Sequence, residues 1–161
     1  PLGRIGIRAE RGSDRMTGFT RDEQMTLMSL WSLAQSPLMF GGDLPSNDAW
    51  TLSLLTNDEV LAVNQRAFHG RQLFREGTRI AWIAEPDDSN DLYLGLFNLD
   101  DNPQTISVNL GVLGFNGRVR VRDLWAREDI GEFEGTIERE INPHGAGLYR
   151  ITEIPIAPTG N

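Results

Sequence analysis

Apolar and polar positions along the 161-residue chain follow two rhythms. Up to about residue 70, apolar residues come at helical spacing or in short solid runs. From about residue 71 they alternate with polar residues on a period of two. The helical signal is clearest after Thr20-Arg21-Asp22-Glu23, a capping box in which the Thr20 hydroxyl accepts from the Glu23 amide and the Glu23 carboxylate reaches back. Met25, Leu27, Met28, Leu30, Trp31, Leu33 and Ala34 follow, with Leu27, Trp31 and Ala34 on one face. So broad an apolar set predicts a largely buried helix that ends before Pro37.

Pro37-Leu38-Met39-Phe40-Gly41-Gly42-Asp43-Leu44 is a short apolar run bounded by Pro and Gly-Gly. It predicts a strand over Leu38–Phe40 buried on both faces, as in parallel sheets. Ser46 or Asn47 is the expected cap of a helix through Trp50, Leu52 and Leu55. Asn57-Asp58-Glu59 opens another turn through Val60, Leu61 and Val63. Parallel pairing needs neighbours joined by crossovers, and this chain holds one clear candidate strand. Its partners are expected elsewhere. The start, Pro1-Leu2-Gly3, has no initiator methionine, charged n-region or apolar h-region, which fits a piece of a longer protein.

The second rhythm predicts seven strands: Gln72–Phe74, Arg79–Ala84, Leu92–Asn98, Thr105–Leu110, Arg118–Trp125, Thr136–Glu140 and Gly147–Thr152. Arg118-Val119-Arg120-Val121-Arg122 alternates cleanly, valines inward. Turn chemistry separates the runs at Glu76-Gly77, Asp87–Asp91, Asp100–Pro103, Asn116-Gly117 and His144-Gly145. Strands at this spacing suggest an antiparallel sandwich of Greek-key type. The expected domains are therefore 1–70 and 71–161, with the junction near Phe68-His69-Gly70.

Composition narrows the function. The chain has a net charge of -8 and a pI near 4.7, and an acidic surface repels phosphate, so nucleic-acid binding is not expected. No apolar run approaches the roughly 18 residues of a membrane span, and no cysteine is present for disulfides, thiolate ligands or nucleophiles. All 15 basic residues are arginine, a usage that codon bias or salt adaptation explains and that says nothing of a reaction. The first 70 residues carry a net -2 (six Arg, eight Asp/Glu) and the rest -6 (nine Arg, 15 Asp/Glu).

Most candidate chemical groups have a structural reading. Asp22-Glu23 and Asp58-Glu59 are adjacent, so they do not face each other on a helix, and both suit helix N-termini. Asp100-Asp101 lies in a turn. Asp87-Asp88-Ser89-Asn90-Asp91 has the oxygens of a calcium loop but neither its glycine nor its downstream glutamate, so a hairpin turn is expected. His69 and His144 each precede a glycine, as tight-turn devices, and two scattered histidines make a poor zinc site. No Gly-x-Ser-x-Gly elbow, Walker loop or dinucleotide fingerprint exists, and no cofactor is expected. Arg4, Arg8, Arg11 and Arg15, in a loop-like stretch over 1–18, either line a site or solvate the loop, and solvation is the favoured reading. Trp31 and Trp82 are assigned to packing, with Trp31→Ala expected to cost about 3–5 kcal/mol; Trp50 and Trp125 stand open between packing and sugar stacking. Asp43 differs. It follows a strand and two glycines, where barrel enzymes place functional groups, and it either reaches a ligand or braces its loop.

Three stretches together resemble a known family: Thr20-Arg-Asp-Glu-Gln-Met-Thr-Leu-Met-Ser-Leu-Trp31, Ser36-Pro-Leu-Met-Phe-Gly-Gly-Asp-Leu44 and Leu54-Leu-Thr-Asn-Asp-Glu-Val-Leu-Ala-Val-Asn-Gln65. They are similar to the closing section of the catalytic barrel of glycoside hydrolase family 27, the α-galactosidases and α-N-acetylgalactosaminidases. Residues after 70, with Asp123-Leu-Trp125 and the His144-Gly145 turn, resemble that family's C-terminal β-sandwich. The resemblance implies the last βα portion of a (β/α)8 barrel followed by an antiparallel Greek-key β-sandwich. It implies a retaining glycosidase acting on terminal α-D-galactosyl residues, an α-galactoside as partner, and homo-oligomers in some members. Both catalytic aspartates would lie before Pro1, leaving no catalytic residue in this chain and Asp43 as the substrate-binding candidate. A periplasmic or extracellular location comes from the family alone. The rival expectation is a non-catalytic carbohydrate-binding or structural β-sandwich module.

Overall fold

The computed structural model describes residues 2–5 and 13–155. A two-residue antiparallel ladder, β1 (Arg4–Ile5) against β2 (Arg15–Met16), precedes helix α1 (Arg21–Leu33). The capping box forms as expected: the Glu23 amide donates to Thr20 Oγ1 at 3.2 Å and the Thr20 amide to Glu23 Oε2 at 2.7 Å.

The face that α1 buries is not the expected one. Gln24, Met28, Ser29, Ser32 and Leu33 are buried, while Ala34 and Trp31 are exposed, Trp31 by 38%. Small serines let the helix approach the β-structure closely, and the Trp125 indole Nε1–H donates to Ser29 Oγ at 2.9 Å. At the helix end Leu33 enters a seat made by two glycines. A Cβ on Gly70 would stand 1.9 Å from the Leu33 carbonyl oxygen, and one on Gly95 would stand 2.3 Å from Leu33 Cδ1. Hydropathy spacing misses this face because three of its five residues are polar and its partner surface is glycine.

A 3₁₀ turn (Leu44–Ser46), helix α2 (Ala49–Leu55) and helix α3 (Asp58–Arg66) follow. The α2 cap is Asp48, not Ser46 or Asn47; its carboxylate accepts the Thr51 amide at 2.8 Å. Asn57 caps α3 by accepting the Glu59 and Val60 amides, and its Nδ2 donates to the Leu124 carbonyl at 2.9 Å.

From Ala67 onward the described residues form eight strands, one more than expected. They are β3 (Ala67–Glu76), β4 (Arg79–Pro86), β5 (Leu92–Asn98), β6 (Gln104–Asn109), β7 (Val119–Asp123), β8 (Glu128–Phe133), β9 (Thr136–Ile141) and β10 (Ala146–Glu153). The unexpected β8 is an edge strand in which three of six residues are acidic, with only Ile130 and Phe133 for an alternation to act on. β7 is shorter than expected because Asp123 turns the chain, its Oδ1 accepting the Trp125 and Ala126 amides. β3 runs through the expected junction at 68–70. His69 sits there in a bulge at φ 55° rather than in a tight turn between domains.

Six strands form one antiparallel sheet in the order β3-β4-β5-β10-β7-β8, and β6 pairs with β9 in a second. Side chains between them make the main core: Leu92, Leu94, Leu96, Ile106, Ile137 and Ile151 among others. This is a β-sandwich. The opposite face of the large sheet is covered by helices, with Tyr93, Phe97 and Leu148 against Leu33, Val60 and Val63. Burial on both faces explains why all seven residues of β5 are buried. Trp82 packs against this second core as expected.

Candidate functional site

The segment expected as a buried strand, Leu38–Phe40, has no regular secondary structure and pairs with no strand among the described residues. Leu38 and Phe40 are half-buried and Met39 is 83% exposed. A fully buried strand needs a neighbour on each side for its amides and carbonyls, and none stands there. Beside it opens an apolar groove of about 670 Å³, with Phe19, Leu27, Trp31, Leu38, Phe40 and Leu61 in its wall. Trp31 is thus a groove residue and not the packed core residue the helical pattern suggests.

Asp43 follows this segment. The two glycines before it do different things. Gly42 is where the chain crosses itself: a Cβ there would meet the Leu2 carbonyl oxygen at 2.6 Å. That close passage lets the Asp43 amide donate to the Arg4 carbonyl at 2.8 Å. The space expected for a ligand at Gly42 is taken by Leu2, whereas Gly41 has no atom within 4 Å of its would-be Cβ. Asp43 opens the 3₁₀ turn, yet its carboxylate makes no capping hydrogen bond.

Arg4 is not the solvated arginine expected. Its Nε and Nη2 grip Asp14 at 2.9 and 2.5 Å, a two-point guanidinium–carboxylate pair that joins the two sides of the β1–β2 hairpin. This contact raises the Arg4 pKa above its ordinary value and lowers that of Asp14, and the nearby Asp43 charge also favours charged Arg4. Among the described residues Arg15 reaches only the Ser13 carbonyl, at 3.3 Å. Arg8 and Arg11 lie outside the described residues. The corner therefore holds one paired cation and one carboxylate without a cap to serve, beside an open glycine and an apolar groove. The Arg4–Asp14 match, ten residues apart in the chain, has no short-range signature in the sequence.

The remaining candidates serve the fold. Asp22 accepts from Asn142, Glu23 caps α1, Asp58 meets Arg127 at 3.2 Å, and Glu59 takes two bonds from Arg122 at 2.7 and 2.8 Å. The acidic loop 87–91 joins β4 to β5 as a hairpin. Two arginines offset most of its charge: Arg66, 3.3 Å from Asp87, and Arg150, 2.5 Å from Asp91. His144 contacts Asp101 at 2.9 Å, and His69 meets Glu85 at 3.1 Å. Among the described residues no three His, Asp or Glu side chains gather as a metal centre, and no helix is long and apolar enough to cross a membrane.

Comparison with known proteins gives this geometry its family. Residues 76–151 match the α-galactosidase C-terminal β-sandwich domain. The β-L-arabinopyranosidase of Geobacillus stearothermophilus, a family 27 glycoside hydrolase, superposes with a TM-score of 0.90 and 43% identity, covering 100% of this chain and 37% of that one. The chain corresponds to the C-terminal region of glycoside hydrolase family 27. Alpha-galactosidase 2 of Arabidopsis thaliana is 32% identical over 139 residues, 84% of this chain and 35% of that protein. α-Galactosidase I of Mortierella vinacea shares the fold, with a TM-score of 0.79 at 22% identity over 83% of this chain. The chain thus spans little more than a third of the relatives it matches, and the part it matches is the family's C-terminal region. The sandwich match begins at the last residue of β3, so the groove and Asp43 lie outside it and inside the wider structural likeness.

Proposed function

We propose that this chain forms the C-terminal part of a retaining glycoside hydrolase that releases terminal α-D-galactosyl residues. On this reading, residues 1–70 supply the last strand and helices of a (β/α)8 barrel, and 71–161 its Greek-key sandwich. The observation that carries the reading is the unpaired, apolar segment 37–41 beside a groove of about 670 Å³. An apolar segment of this kind fits as the closing strand of a barrel whose other strands come from upstream residues. A barrel takes about 250 residues, far more than the helical half contains.

In that frame the two catalytic aspartates belong to the upstream strands. One attacks the anomeric carbon. The other protonates the leaving oxygen and then activates water, and retention requires the two carboxyls about 5–5.5 Å apart. Asp43, at the end of the closing strand, is the residue of this chain that reaches the sugar. Its carboxylate, which caps nothing in the 3₁₀ turn, is suited to accept from a glycone hydroxyl.

A second glycone deserves equal testing because a 43%-identical relative is a β-L-arabinopyranosidase. β-L-Arabinopyranose is α-D-galactopyranose without its exocyclic hydroxymethyl group, so one arrangement of hydroxyl contacts can read both sugars. The test is to produce the chain joined to its native upstream sequence and to assay nitrophenyl α-D-galactoside and β-L-arabinopyranoside. Proton NMR follows the first-formed anomer. Turnover with retention is expected from the joined protein and none from the 161-residue chain. Turnover by the 161-residue chain, or inversion, would overturn the reading.

A further inference from the structure

The fold brings together the two tryptophans that the sequence leaves unassigned. Trp50 lies in the first turn of α2 and Trp125 in the turn after β7, 75 positions apart in the chain, and both line one groove of about 580 Å³. That volume falls within the roughly 300–1,000 Å³ usual for small-molecule sites. Met25 adds a further apolar surface, and Ser53, Asp123 and Arg127 stand around the edge.

Each aromatic ring is held. Trp125 is anchored by its Nε1–H bond to Ser29 Oγ at 2.9 Å. Trp50 carries the Arg21 guanidinium 4.9 Å from its ring centroid, and its own Nε1–H is buried without a partner. What Trp50 offers a ligand is therefore ring surface and not its N–H. The polar groups at the edge keep capacity in hand. Asp123 spends Oδ1 on two amides, and Oδ2 makes no hydrogen bond among the described residues. Ser53 Oγ donates to the Trp50 carbonyl, which leaves its lone pairs to accept. Arg127 uses Nη2 on the Thr56 carbonyl and Asp58, and its other donors are uncommitted among the described residues.

We propose that this groove binds a neutral saccharide, with a pyranose ring against Trp50 and Trp125 and vicinal hydroxyls shared between Asp123 and Arg127. An aromatic face is electron-rich and favours the polarised C–H bonds of a sugar ring. One hydroxyl donates to Asp123 Oδ2 while its neighbour accepts from Arg127. A carboxylate and a guanidinium together leave no net charge to reward an ionic ligand, which selects a polyol over a phosphate or an amine. The site uses this chain's residues alone and does not rest on the catalytic reading above.

The four tryptophans each give one indole N–H signal, so a ¹⁵N-labelled chain reports every ring separately. The titrants are D-galactose, L-arabinose and melibiose, with glycerol as the control. The Trp50 and Trp125 signals are expected to move together along one saturating curve in the millimolar range, with Trp82 still and glycerol inert. Asp123→Asn keeps the Oδ1 acceptor that holds the turn, and is expected to weaken binding about tenfold. If that variant loses its dispersed spectrum, Arg127→Gln tests the other rim group with the same expectation. Shifts confined to Trp31, unsaturable shifts, equal response to glycerol, or unchanged affinity in a folded rim variant would each overturn the proposal.

Discussion

The sandwich and the helical segment that leans on it satisfy their apolar residues in different ways. In β5 every side chain is buried, because one sheet face meets β6 and β9 and the other meets the helices. In the helical segment Trp31 is 38% exposed, Leu44 63% and Met39 83%. The sandwich closes its core with its own residues. The helical segment is closed only on the side facing the sheet, where polar bolts join the two: Thr26 Oγ1 to the His144 carbonyl at 2.7 Å, Trp125 to Ser29, and Arg122 to Glu59. An exposed apolar groove of this extent on a small protein marks a surface made to be covered.

The sharpest way to break this contrast is to truncate one residue on each side. Leu94, fully buried in the middle of β5, is expected to cost about 2–5 kcal/mol as Leu94→Ala, since the methyl groups lost leave a cavity between two packed faces. Trp31→Ala removes a larger side chain but is expected to cost less than about 1 kcal/mol in this chain, because much of its surface is already in water. Urea denaturation of both variants decides the matter. A Trp31→Ala loss equal to that of Leu94→Ala would mean that the groove is closed in solution and that the two regions do not differ.

The joint between the regions is the next place to press. Gly70 lies against the Leu33 carbonyl with no room for a methyl group, and the obstructing atom is backbone, so it cannot swing aside. Gly70→Ala is therefore expected to push α1 off the sheet at a cost of about 1–3 kcal/mol. The readout is the indole signal of Trp125, which depends on the α1 side chain of Ser29. If that signal and the stability both stay unchanged, the helix is not seated on the sheet as described.

Why the sequence foretold some of this and not the rest follows from range. The capping box at Thr20, the Asn57 cap and the alternation in Arg118–Arg122 are local, and local chemistry writes itself into a few consecutive residues. The buried face of α1 was misjudged because its partner is a pair of glycines from β3 and β5, which no helical pattern records. β8 was missed because an edge strand can stay polar and still pair. At the site, Asp43 could be singled out from its place after an apolar run and two glycines. The Arg4–Asp14 pair and the Trp50–Trp125 groove could not, since their halves meet only once the chain is folded.

Acid offers the finest comparison. The Asp48 carboxylate caps α2 by accepting from Thr51, which holds its pKa below the ordinary 3.8. In the sandwich, Asp100 is held low by the Asn102 amide and Glu85 by His69 and Arg71. A carboxylate with a lowered folded pKa adds stability that is fully present above its unfolded value. That stability drains away as the pH falls through the folded one. Below 3.8, α2 should therefore loosen as Asp48 takes up its proton. Asp48→Asn keeps an equally good cap at neutral pH but has no proton to gain, so its α2 should ignore this range of acid. Trp50, the second residue of α2, reports the change in its fluorescence. The effect is expected to be small, because Asp48 is exposed and water screens its charge. An identical acid profile for Trp50 in both proteins would mean that the loosening comes from the sandwich carboxylates and reaches α2 through the contacts that join the two regions.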